Sequence, residues 1–161
     1  MDRDVLPRAY AAIGEKTPML FDCGQLCGAV CCRPDEDGQG GVYLFPGERA
    51  LLEDCGWARV FSAEFAPVML CDGRCDRERR PLGCRIFPLT PVCGENGKWT
   101  VRMDVRARAM CPLAAHGVRG LDPEFVRAAR KALRIIAGDP EGGAFLEKWQ
   151  ALEEEYRRPL W

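Results

Sequence analysis

Apolar residues recur at helical spacing over long stretches only near the end of the chain. In "DPEFVRAARKALRIIAGDP", Phe125, Ala129, Leu133 and Ile136 share one helical face, with Asp122 at the N-cap, Pro123 at the first helical position and Gly138 at the exit. A second helix is predicted over 143–156, where Phe145, Leu146, Trp149 and Leu152 form the apolar stripe. Aromatics at that spacing build a core rather than a cofactor pocket. A shorter amphipathic segment opens the chain at about residues 4–13.

Between these ends the pattern is broken. "RPDEDGQGG" (33–41) reads as a surface loop, and "VYLF" (42–45) as a short strand. "PGERALLEDCG" predicts a short helix that places Leu51, Leu52 and Cys55 on one face and stops at Gly56. From Phe65 to Pro91 the density of Cys, Arg, Gly and Pro excludes long helices. A turn at Asn96-Gly97 then leads into a strand over about 98–105. The pattern predicts a small α+β single domain, residues 1–161, in which an irregular, metal-organised cysteine-rich region with short strands (about 22–113) precedes a C-terminal helical pair (about 121–157).

Charge narrows the classes of partner. The formal net charge is -1, so there is no basic surplus for nucleic acid or an anionic membrane. No segment approaches the roughly 18 apolar residues of a membrane span. The opening residues carry charge at Asp2, Arg3, Asp4 and Arg8 and predict no secretory leader. A cytoplasmic location follows as the expectation, and in a reducing compartment structural disulfides are rare.

Ten cysteines therefore call for another use. All lie between Cys23 and Cys111, and four fall within "CGQLCGAVCC". Clustered cysteines in a cytosolic chain serve metals or redox chemistry more often than bridges. Cys23, Cys27 and Cys31 are spaced by four, but Gly24 and Gly28 disfavour a helix interior and predict a looping backbone. In an extended backbone the adjacent Cys31 and Cys32 would point to opposite sides and serve two different partners, as two metal sites or one polynuclear cluster would require. Two tetrahedral thiolate sites need eight ligands, and Cys23, Cys27, Cys31, Cys32, Cys71, Cys75, Cys84 and Cys111 supply them. Cys55, on an apolar helix face, and Cys93, in a loop, read as structural. Arg74, Arg77, Arg79, Arg80 and Arg85 surround two of the candidate ligands, either as donors to thiolates or as a solvated basic face.

The segments "CGQLCGAVCC", "LCDGRCDRERRPLGCRIFPL" and "MDVRARAMCPL" resemble the YkgJ-like cysteine-cluster family, described as a zinc- or iron-chelating domain. The likeness runs from about Asp22 to Leu113 and is most specific at Arg80-Pro81, Cys84-Arg85 and Phe87-Pro88. It implies metal ligation by Cys23, Cys27, Cys31, Cys32, Cys71, Cys75 and Cys84, with Cys111 before Pro112 closing the motif. The first spacing departs from the family name, with three residues rather than two between Cys23 and Cys27. A related motif occurs in flagellin lysine methylases, but the cysteines alone do not carry that activity over.

Zinc is the favoured metal because it fits four-thiolate sites without redox chemistry, and an iron-sulfur cluster is the alternative. An enzyme has little to work with. His116 is the only histidine, Glu48 and Asp104 read as ordinary surface acids, and the C-x3-C-x3-C spacing differs from the C-x3-C-x2-C of radical S-adenosylmethionine chemistry. No catalytic residue is assigned. A redox sensor using the vicinal Cys31-Cys32 pair is the remaining rival. The sequence names no protein partner. Because the ligands span Cys23 to Cys111 and the tail helices are short, folding is expected to depend on metal.

Overall fold

Three helices and a hairpin gather the apolar residues of the two chain ends into one layer. The computed structural model describes residues 1–21, 23–34, 40–52, 54–71, 73, 75, 76 and 78–158. Arg74, Arg77 and the middle of the 33–41 loop, all named above, lie outside the described residues. Helix α6 (Pro123–Ala137) begins where the sequence predicts, because the Asp122 carboxylate accepts hydrogen bonds from the Glu124 and Phe125 amides at 2.7 and 3.0 Å. Its Phe125, Ala129, Leu133 and Ile136 are buried. Helix α7 (Pro140–Arg157) starts three residues before its predicted onset at 143. Asp139-Pro140 repeats the Asp-Pro signature, and Asp139 accepts from the Gly142 amide at 2.9 Å.

The first helix, α1 (Val5–Ile13), lies along α6 and buries Val5, Leu6, Ala9 and Ile13. The strands β4 (Leu89–Cys93) and β5 (Trp99–Met103) form an antiparallel hairpin in register from Leu89 opposite Met103 to Cys93 opposite Trp99. β5 packs on α6 and β4 on α7. Cys93 thus ends a strand rather than lying in a loop, and its amide donates to Gln150 Oε1 at 2.7 Å. The stripe of α7 also differs from its prediction. Phe145, Leu146 and Trp149 are buried and Leu152 half-buried, but the fully enclosed residue at its end is Glu153. Glu153 takes hydrogen bonds from Arg102, Arg157 and the Val105 amide.

A second sheet carries the cysteine region. Strands β1 (Val42–Tyr43), β2 (Ala58–Phe61) and β3 (Val68–Cys71) are antiparallel in the order β1-β3-β2, with β3 central. Only the first two residues of "VYLF" pair; Leu44 and Phe45 turn inward and are buried. The helix α3 (Glu48–Leu52) buries Leu52 but leaves Leu51 exposed, and Cys55 lies beyond its end. The helix α4 (Leu82–Ile86) joins the two sheets, and short turns α2 (Gly24–Cys27) and α5 (Ala107–Met110) flank the remaining cysteines. The chain is therefore α+β. Among the described residues no helix is long and apolar enough to cross a membrane.

Candidate metal centre

The cysteine segment is helical only in single turns. α2 ends at Gly28, whose φ of 63° is left-handed and favours glycine, and Ala29 follows at φ 56°. A 3-10 turn over Val30–Cys32 then carries the neighbouring thiols. Cys31 and Cys32 are therefore not in extended backbone as expected, because the Cys32 amide bonds back to the Ala29 carbonyl at 2.9 Å. Both border one small cavity, and Cys31 alone of the two also reaches a second. Cys32, Cys71, Cys75 and Cys84 line a cavity of about 30 Å³ beneath β1 and β3, with Met69, Arg80 and Pro81. Cys23, Cys27 and Cys111 line a second cavity of about 20 Å³ with Leu26, Phe87, Pro88 and Met110. Cys31, the exposed thiol of the eight, borders both.

Each group is built by specific contacts. At the first cavity the Arg80 guanidinium forks onto Cys75 Sγ, with Nε at 3.2 Å and Nη2 at 3.1 Å. Burial works against the Arg80 charge, but the Cys75 hydrogen bond and the nearby Cys75, Cys32 and Cys84 sulfurs outweigh it and hold the guanidinium cationic. Cys84 sits in α4, where Gly83 lets the helix approach β1: a Cβ on Gly83 would stand 2.5 Å from Val42 Cγ2. At the second cavity Cys27 Sγ lies 3.8 Å from the Cys23 carbonyl. Burial raises the pKa of the Cys111 thiol against the Leu113 and Ala114 amides, which the turn after Pro112 aims at it, and Cys27 adds to the rise.

The thiols crowd one another. Burial pushes the Cys84 thiol well above its ordinary value, with Cys32, Cys75 and Glu48 adding to the rise and Arg80 opposing it. The Cys31 thiol is raised by its hydrogen bond to Cys32, then by burial, then by Cys32, Cys84 and Cys27. Such thiols are poor thiolates unless a cation joins them. Thiolates are donors of the kind a soft divalent ion takes, and here amides and a guanidinium are directed at individual sulfurs. Among the described residues, no three Cys, His, Asp or Glu side chains already stand together at metal-binding geometry.

The residues outside the set are also placed. Cys55 is buried beside Leu44, Leu52, Met69 and Cys71, in the apolar cluster that backs the first cavity. His116 is exposed on a 3-10 turn. The reading of Glu48 and Asp104 as surface acids is overturned, since they are 0% and 1% exposed. Asp104 pairs with Arg106 through Oδ1 to Nε at 3.0 Å and Oδ2 to Nη2 at 2.6 Å. Glu48 is held by hydrogen bonds rather than a bidentate partner, and its pKa is raised by burial against the opposing bonds from Tyr10, Leu82 and Phe45. Single acids in a charged segment carry no sequence signal that separates a buried anchor from a solvated one. No protein-family model, curated protein or solved structure matches the chain.

Proposed function

We propose that this chain is a cysteine-thiolate metal-binding protein that works in the cytoplasm. More particularly, it is a YkgJ-like cysteine-cluster protein holding two zinc ions, one by Cys23, Cys27, Cys31 and Cys111 and one by Cys32, Cys71, Cys75 and Cys84. The observation that carries this reading is that Cys32, Cys71, Cys75 and Cys84 line one small cavity and Cys23, Cys27 and Cys111 another, with Cys31 bordering both. Four thiolates close a tetrahedral site and leave no open position, so the ions are structural. When bound, such an ion supplies the positive charge that crowded thiolates lack.

Elemental analysis of the full chain purified without oxygen tests the proposal. Two equivalents of zinc are expected, and less than about half an equivalent of any transition metal overturns it. Cys84→Ser should cost metal because a hydroxyl is a poorer ligand for a soft site. Cys55→Ala should keep both ions and cost on the order of 1 kcal/mol as a small core truncation. One observation favours a second reading: Cys31 borders both cavities, which suits a single polynuclear cluster. Visible absorption with stoichiometric sulfide would select iron-sulfur over zinc.

A further inference from the structure

Glu48 is wholly buried, yet its carboxylate joins three separate segments. Oε1 accepts from the Tyr10 hydroxyl of α1 at 2.5 Å and from the Leu82 amide at the start of α4 at 2.7 Å. Oε2 accepts from the Phe45 amide at 2.7 Å, where the chain leaves β1. Helix α4 has five residues and no side-chain cap from Pro81, so its first amides need outside acceptors. Glu48 supplies one of them two residues before Cys84. The residue after Cys84 is tied to the same network, because the Arg85 guanidinium lies 4.8 Å over the Tyr10 ring and donates to the Arg80 and Gly14 carbonyls. A leucine would be buried at Glu48's place without the cost of enclosing a carboxylate, but it would leave the Leu82 and Phe45 amides unpaired.

We propose that Glu48 is the positioning residue for Cys84: by holding the α4 start against α1 and β1, it keeps this thiol facing Cys32 and Cys75. The proposal rests on the metal-binding reading above. Partners behind a metal ligand fix its orientation, and their loss weakens metal affinity by about 10–100-fold. Glu48 bears more directly on the Cys84 site, since none of the residues it bonds lines the cavity of Cys23, Cys27 and Cys111.

The test is zinc release from the full-length protein to a chromogenic chelator, with metal content measured beforehand. In Glu48→Gln one zinc equivalent should leave about tenfold faster or more, while the other keeps its wild-type rate. Tyr10→Phe, which spares the Leu82 and Phe45 bonds, should act on the same equivalent more weakly, and it carries the test if Glu48→Gln fails to give a folded circular dichroism spectrum. Unchanged release of both equivalents overturns the proposal, as does equal acceleration of both, which marks a general loss of stability. Wild-type protein without metal would instead remove the metal-binding reading, and this inference with it.

Discussion

The helical half and the cysteine half are held together by different physics. In the first, α1, α6 and α7 close on the β4–β5 hairpin, and Ala9, Ile13, Phe125, Leu133, Ile136 and Leu146 are excluded from water. Its helix starts are capped by Asp122 and Asp139. In the second, single helical turns and strands of two to four residues converge on thiols. There a small apolar cluster around Leu44, Leu52, Cys55 and Met69 is joined by polar ties: Glu48 to three segments, Arg80 to Cys75, Arg85 to the Arg80, Gly14 and Glu78 carbonyls. Burial of apolar area stabilises the first half, whose core also takes in Phe45, Ala66, Leu82 and Ile86 from the cysteine region. The second gathers groups that repel one another when ionised, a repulsion that the proposed metal would offset.

Removing metal should separate the halves most sharply. A strong chelator under reducing conditions is expected to expose the eight candidate thiols to titration while a substantial part of the far-ultraviolet helical signal persists. That outcome modifies the expectation that the whole fold depends on metal, because α6 and α7 are not isolated helices but share a core with α1 and the hairpin. A chelated chain that melts at an unchanged temperature, with thiols still protected, would erase the distinction.

The converse break is Phe125→Ala. Phe125 is fully buried at the first turn of α6, and truncating a core phenylalanine costs about 3–5 kcal/mol. A large fall in melting temperature is expected, with full zinc content in protein kept cold. Metal loss without unfolding would mean that the helical core reaches into the thiol sites.

The smallest effect sharpens the comparison rather than breaking it. Asp122→Ala removes the acceptor for the Glu124 and Phe125 amides and should cost about 1 kcal/mol. In a chain of this length that lowers the melting temperature by about 2–4 °C. Zinc release should be untouched, and accelerated release would couple the cap to the thiols.

The sequence by itself determined the helices of the first half and named the candidate ligands. Periodicity and the Asp122-Pro123 signature located α6, and the charge balance with ten cysteines directed attention to thiol chemistry. These signals are local, and they survive in one dimension because a helix face repeats every few residues. The onset of α7 was equally local, in Asp139-Pro140, although the prediction placed it at 143. Strands β2, β3 and β4 left no clear pattern, since each is four or five residues long and takes its identity from the strand it pairs with. Only the tertiary structure decided that the eight cysteines line two small cavities with Cys31 bordering both, that Cys31 and Cys32 sit on a 3-10 turn, and that Glu48 and Asp104 are buried. The reason is the same in each case. A carboxylate or a thiol has no preferred place along a chain, and its role is set by groups that folding brings to it from 34, 38 or more residues away, as Leu82 and Tyr10 are brought to Glu48.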